Sequence, residues 1–416
     1  MSELNLPPIG PHVDAGAEQR LVAYLGEIGS LLGNKRRRAN FALYACGILT
    51  DGERKSVEPI ASRLTDKERA EAMQAKLLWF LARSPWEDRP VREYTSRYAI
   101  EEMERRRSIT HWTLDDTGFL KQGRCSPGVQ RQYTGSAGKV CNCQVAVSLT
   151  VSNEHEQLPI DMRLYVPEPW AADAARRSAT KIPDSVEYQP KWKIGLDMIE
   201  AALEAGVPRG IVLGDADYGT KTELRDRLEE LGLTYAVGVH STTMVRRVYG
   251  SGSSRRVGQR MSAEEIAFSL KEKDIRKVTW REGTKASLQG KFAVVRVEAM
   301  RGDDPPRPEQ WLVIEWPDGS HLPKHYTLSN LPEDMSRKQL VRHIKERWRT
   351  ERVYEDLKGE LGLDHFEGRT YTGWNHHVTI VLACFAFMVA EHARTFPPAH
   401  PRTRQPAANR SLGHAA

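Results

Sequence analysis

RGIVLGD, residues 209–215, is a short apolar run that ends on an acid, the pattern of a buried strand. A helix is predicted over 221–231, and TYAVGV (234–239) reads as the next strand. Upstream, HWTLDDT (111–117) alternates, with Trp112 and Leu114 on one face and the period continuing to Asp116. Gly-rich loops then lead to NCQVAVSLTV (142–151) and LPIDMRLYV (158–166), two further strands. A helix over 192–205 follows, its end marked by Gly206. Three strands, helix, strand, helix, strand is the order of a mixed α/β core.

The flanks differ in kind. Residues 1–107 carry helical patterns over 20–32, 40–45 and 66–83, almost no strand signal, and a KRRR run at 35–38. They are expected to form an N-terminal helical domain, either a structural cap or a DNA-gripping module. The core occupies 108–240. Residues 241–332 break its rhythm with SGSSRR and four strand-like runs: KVTW (277–280), KFAVVRVEAM (291–300), WLVIEW (311–316) and HYTLSN (325–330). That is a β-rich insertion, far longer than an ordinary connection. The core resumes over 333–395, with one long basic helix over 337–358 and an apolar C-terminal helix. The Pro-, Ala- and Arg-rich stretch 396–416 is expected to be a disordered tail.

A chain of 416 residues with 40% hydrophobic and 28% charged residues suits a globular protein of two or three domains. The net charge of +6 is modest but clustered: 35–38, 105–107, Arg246/Arg247 with Arg255/Arg256, and 337–358. Such clusters suit a polyanion partner as well as a solvated basic surface. The five cysteines lack a second paired motif, so Cys141 and Cys143 are poor candidates for zinc, and free thiols in a reducing compartment are expected. No leader is expected at the start, which lacks a long apolar core. The most apolar run, 378–390, is short of the ~20 residues that span a bilayer, and reads as a core helix without membrane contact.

RWRTERVYEDLK (347–358) places an acid where a helix should be apolar. At ~100° per residue, Leu340, Ile344, Arg347, Glu351, Glu355 and Lys358 fall within about 40° of one line. Asp116 closes the first strand and Asp215 the fourth, so with Glu351 three carboxylates stand where an α/β core gathers functional groups. An all-oxygen pocket suits Mg²⁺ or Mn²⁺. Two such ions, ~3.5–4 Å apart, activate the attacking oxygen and stabilise the leaving one at a phosphodiester. Each acid also has a plain structural reading. Asp116 could end a strand in a turn, Asp215 could cap a helix, and Glu351 could pair with Arg347 or Lys358. Lys121, Arg124, Arg131 and Lys139 lie in the loops between the first two strands, where a basic loop would clamp DNA beside the acids. Trp280, Trp311 and Trp316 are candidates for stacking on an unpaired base or for the insertion's core. His365, His376 and His377 are expected at the surface or on DNA phosphates.

With these stretches, the chain resembles a DDE-type bacterial insertion-sequence transposase with an RNase H-like core, closest to the insertion-sequence 701 group beside the insertion-sequence 4 group. The likeness spans about 40–390. It rests on DDTGFLKQG (115–123), VQRQYTGSAGKVCNCQVAV (129–147), LYVPEPWAADAARR (164–177), GDADYG (214–219) and LGLDHFEGRTYTGW (361–374). The clan's signature Y-(2)-R-(3)-E-(6)-K is matched by Arg347-(3)-Glu351-(6)-Lys358, with Ile344 in place of the tyrosine. The resemblance implies an RNase H-like mixed-sheet catalytic core with an all-β insertion and an N-terminal helical domain. It implies catalysis and metal binding at Asp116, Asp215 and Glu351, with two Mg²⁺ or Mn²⁺ ions, and Arg347 and Lys358 on transposon-end phosphates. The D-T pattern favours Asp116 over Asp115, and D-x-x-Y-G favours Asp215 over Asp217. The implied partners are double-stranded DNA, both terminal inverted repeats and target, and a second copy pairing the two ends. The implied setting is the bacterial cytoplasm at the nucleoid. The alternatives are an RNase H-fold endonuclease without strand transfer and a catalytically silent DNA-binding descendant.

Overall fold

A computed structural model describes residues 15–282, 287–300, 308–317 and 319–395; the stretch 396–416, expected to be a tail, lies outside them. Five helices come first: α1 (Ala15–Leu31), α2 (Lys35–Leu49), α3 (Val57–Leu64), α4 (Ala70–Arg83) and α5 (Asp88–Arg106). α5 escapes the periodicity reading because DRPVREYTSRYAIEEMERR is polar almost all round, and its buried face mixes Val91, Ile100 and Met103 with the polar Thr95, Ser96 and Glu102.

Strands β1 (His111–Leu120), β2 (Gln130–Thr134), β3 (Lys139–Ser152) and β4 (Gln157–Leu164) follow. Short α6 (Glu168–Ala171) and α7 (Ala174–Thr180) lead to α8 (Lys191–Glu204), then β5 (Ile211–Gly214), α9 (Ala216–Gly219), α10 (Thr222–Glu230) and β6 (Tyr235–Val239). β3 pairs antiparallel with both β1 and β4, while β5 runs parallel to β1 and β6 parallel to β5. The resulting order, β4-β3-β1-β5-β6, is the RNase H-like arrangement: an antiparallel meander followed by two parallel strands reached through helices.

The insertion contains β7 (Met244–Tyr249), β8 (Arg256–Ser262), α11 (Ala263–Ser269), β9 (Arg276–Glu282), β10 (Ser287–Ala299), β11 (Glu309–Trp316) and β12 (His325–Ser329). It is β-rich and carries one seven-residue helix with a capping box from Ser262 and Glu265. It has its own apolar core around Val245, Ile266, Val297 and Leu312. Its backbone is nonetheless continuous with the core, because β12 pairs with β6 and one sheet of 12 strands runs through both.

The basic helix expected over 337–358 is two helices, α12 (Arg337–Lys345) and α13 (Trp348–Gly359). At the join the N–H groups of Glu346, Arg349 and Thr350 reach back three residues, to His343, Glu346 and Arg347. Bonds of that span tighten the turn and bend the axis. Side chains on both sides anchor the bend: Lys345 on Glu315 at 2.5 Å, Arg347 on Asp115 at 2.9 Å, and His343 Nδ1 2.9 Å from His111 Nε2. The single stripe expected across this region is therefore interrupted, and Glu351 lies in the first turn of α13 rather than mid-helix.

α14 (Tyr371–Thr395) is the last element among the described residues. By length and composition it would cross a membrane, yet it is mostly buried in protein. Tyr24 donates to the Ala383 carbonyl at 2.8 Å, and the Tyr44 hydroxyl lies 2.9 Å from His377 Nδ1. One apolar cluster runs from Tyr24, Phe41 and Phe80 through α14 to Trp112, Ile199 and Val353.

Candidate active site

Neighbouring side chains of β1 point to opposite faces of the sheet. Asp115, like His111, faces α12 and α13; Asp116, like Leu114, faces α8, where Gly195 comes close to the Leu114 side chain. Asp115 Oδ2 lies 2.9 Å from Arg347 Nη1, and its Oδ1 accepts the Asp116 main-chain N–H at 2.8 Å. Asp116 Oδ2 lies 2.7 Å from Lys191 Nζ, the first residue of α8. Asp215 leaves β5 and caps α9, its Oδ1 accepting the Asp217 N–H at 2.9 Å. Glu351 is largely exposed and forms a 3.3 Å ion pair with Arg347 Nη2. Lys358 donates to the Gly118 carbonyl at 2.8 Å and to Ser136 Oγ at 3.1 Å.

Asp115, Asp116, Asp215, Asp217 and Glu351 line one cavity of about 600 Å³, together with Lys191, Arg347 and Lys358. A second cavity of about 330 Å³ shares Asp215, Arg347 and Glu351 and continues past Trp348 of α13 along the insertion at Phe292, Lys324 and His325. The acids feel one another. Burial, then the charges of Asp215 and Asp116, push Asp115 up to about 7 against the pull of Arg347. Burial, then Asp217 and Asp116, raise Asp215. Burial works against the Arg347 charge, but Asp115, Glu351 and Asp215 outweigh it and raise its pKa. Beneath them Tyr218 is fully buried; its hydroxyl has no partner among the described residues, and burial with the charges of Asp116 and Asp115 pushes it upward.

Among the described residues no three His, Cys, Asp or Glu side chains already stand as a ligand group for a metal. The carboxylates rest instead on the protein's own cations, Lys191 and Arg347. The donor set fits a hard divalent cation all the same. It consists of carboxylate oxygens gathered on one cavity, where burial and neighbouring carboxylates raise Asp115 and Asp215, a strain a divalent charge would relieve.

Of the expected DNA contacts, Arg347 and Lys358 line the cavity, while Lys121, Arg131 and Lys139 do not. Lys121 is turned back onto the Phe366 carbonyl at 2.6 Å. Arg131 and Lys139 are exposed on the β2–β3 hairpin; Arg131 shares a strand face with Tyr133, which does line the cavity. Two of the three histidines expected at the surface, His376 and His377, are buried, and His365 is half-buried. His376 stacks on Trp86 at 3.7 Å and bonds to the Leu81 and Trp86 carbonyls, His377 is fully enclosed, and His365 accepts the Lys55 main-chain N–H at 3.0 Å. The apolar stripe of α14 carries the first two inward. Trp316 is core, Trp280 packs edge-on against Phe292, and Trp311 lies under Arg296 with its indole N–H on the Leu331 and Pro332 carbonyls. Sequence reasoning did not single out Lys191, Tyr133, Ser136 or Tyr354. Only Tyr133 left a usable signal, two residues after Arg131 in the alternation of QRQYT.

Residues 27–287 match the model of the DDE superfamily endonuclease family, and residues 193–387 match that of the transposase DDE domain. Over 217 residues the chain is 26% identical to the probable transposase for insertion sequence element IS701 of Microchaete diplosiphon, covering 52% of this chain and 52% of that protein. The chain thus spans about half the length of the curated relative it matches. The cryo-EM structure of a piggyBac transposase synaptic complex with hairpin DNA aligns with 87% of this chain and 67% of its own, at 12% identity and a TM-score of 0.46.

Proposed function

The chain belongs to the DDE superfamily endonuclease family, and from that premise we propose that it is a DNA transposase. It would cut at the ends of its element to expose 3′-hydroxyls and then join those ends to target DNA at the same site. The observation that carries this reading is the cavity where six carboxylates, Glu355 of α13 included, meet three cations, with Asp115 and Asp116 inside β1, Asp215 just past β5 and Glu351 on α13. Phosphoryl transfer asks for positioning and neutralisation of charge, and such a lining supplies both.

Asp116, Asp215 and Glu351 would hold two divalent ions, Mg²⁺ or Mn²⁺. The bound ions would supply an activated oxygen nucleophile and stabilise the leaving oxygen. Arg347 and Lys358 would take the flanking phosphates. In the DNA-free protein, Arg347 keeps Glu351 and Asp115 neutralised, so an incoming phosphate would compete for that guanidinium and free the carboxylates. Asp115 serves best as the anchor that fixes Arg347 and with it the start of α13. The second cavity extends the path of the strand onto the insertion. The substrate is double-stranded DNA carrying terminal inverted repeats, and two copies of the chain would hold the two ends.

The test uses duplexes ending in the element's own repeats, with Mg²⁺. Asp116→Ala, Asp215→Ala and Glu351→Gln should each lower cleavage at least ~1000-fold, a loss of about 4 kcal/mol of transition-state stabilisation. Cleavage at wild-type rates by any of the three would sink the assignment. Cutting without joining of 3′ ends to a second duplex would make the protein an endonuclease, and EDTA-resistant binding without cutting would make it a silent DNA binder.

A further inference from the structure

The KRRR run that opens α2 takes no part in the carboxylate cavity. It borders a separate cavity of about 740 Å³ between α2 and α4, lined by Lys35, Arg36, Arg37 and Lys76 and by no carboxylate. Asn34 caps α2, its side chain accepting the Arg37 main-chain N–H at 2.9 Å. The first turn contains no acid, so four consecutive cations sit at the positive end of the helix macrodipole. That arrangement opposes the helix unless an anion is bound there. Lys35, Arg36 and Lys76 are exposed and form no ion pair among the described residues.

Two further features lie in the same cavity. Trp79 on α4 is 54% exposed, an unusual place for a large ring. Asn40 is only 6% exposed and Ser84 is fully buried, and neither the Asn40 side-chain oxygen nor the Ser84 hydroxyl has a partner among the described residues. Buried polar atoms without partners are uncommon and call for a ligand group. The cavity thus offers cations at its mouth, a flat ring on its wall and an unfilled acceptor with a hydroxyl at its base. A phosphate-bearing strand with one unpaired base answers each of these. Phosphates meet the cations, the base stacks on Trp79, and an exocyclic amino group donates to Asn40 Oδ1.

We propose that this cavity is a second DNA site, which holds an unpaired nucleotide of the strand and is separate from the cutting centre. The inference deepens the reading of the chain as a DNA-processing enzyme, and its test does not require cutting. Several cations favour a strand over a free nucleotide, which carries its phosphates at one point only.

The experiment measures binding of a fluorescein-labelled duplex with a four-nucleotide single-stranded overhang by the full chain, in EDTA, against the same duplex with blunt ends. Trp79→Ala should weaken overhang binding roughly 5- to 100-fold and leave blunt binding within about twofold. An overhang of abasic nucleotides should show the same loss on the wild-type protein. Arg36→Ala with Lys76→Ala should flatten the dependence of log affinity on log salt by about 1.4. Both positions are exposed, so unchanged melting temperatures will certify the fold. Equal overhang binding by Trp79→Ala and wild type would overturn the proposal. So would displacement by adenosine monophosphate with no overhang preference, which would mark a free-nucleotide site. Asp116→Ala should keep the overhang preference in full, so failure of the cutting assignment leaves this result standing.

Discussion

Gly219 shows how narrowly the site is built. A Cβ placed there would come within 2.0 Å of the Gly238 carbonyl oxygen, because α9 lies directly on β6. The obstacle is main chain and cannot rotate away. Gly219→Ala should cost about 1–3 kcal/mol, read as a lower urea midpoint, and should lower cleavage by displacing Asp215 at the other end of α9. At this scale the sequence exposed much of the chemistry. Asp116, Asp215, Glu351, Arg347 and Lys358 all reach one cavity; β5 ends just before Asp215 as expected, but β1 runs on to Leu120, so Asp116 lies within the strand rather than closing it. Lys191 was hidden because its approach to Asp116 joins residues 75 apart, and no local pattern encodes that meeting. His376 and His377 were misplaced because a polar residue beside an apolar run leaves open which way it turns.

Among the elements, the bend between α12 and α13 was the least legible. The helical pattern runs unbroken through RHIKERWRTERV, while the bend comes from distant anchors: Glu315, Asp115 and His111. The last of these titrates. Burial, then the neighbouring His343, lower His111 from 6.5 to about 3, and burial lowers His343 as well. Below pH 6.5 the unfolded chain therefore takes up protons that the fold refuses. The contribution is intact above pH 6.5 and declines as pH falls towards 3, by up to ~1.4 kcal/mol per pH unit. Asp115, raised to about 7, acts in the opposite sense, favouring the fold as pH drops from 7. The informative quantity is therefore a difference. His111→Gln should lose less stability than wild type between pH 6.5 and 4, measured as urea midpoints at matched pH. Parallel curves for the two proteins would remove His111 as the source.

On the scale of the whole molecule, the N-terminal helices and α14 share one core with the RNase H-like sheet. Removing residues 1–106 would strip the cover from a 25-residue apolar helix and orphan the buried partners of Tyr24 and Tyr44. The remainder should fail to melt cooperatively in circular dichroism; a sharp transition near that of the full chain would refute shared folding. The succession of core strands along the chain was readable because each announces its own burial, except β2, whose half-exposed residues read as loop. The pairing of β12 with β6 was not, since it joins residues about 90 apart whose sequences say nothing of each other. That pairing has a mechanical result. From β5, which presents Asp215, to β8 at the far edge, every neighbour is tied by main-chain hydrogen bonds, with no joint at which the insertion could swing. In the proposed complex, a duplex spanning both halves would lie on one continuous sheet, and the curvature of the bound state would be taken up by the DNA.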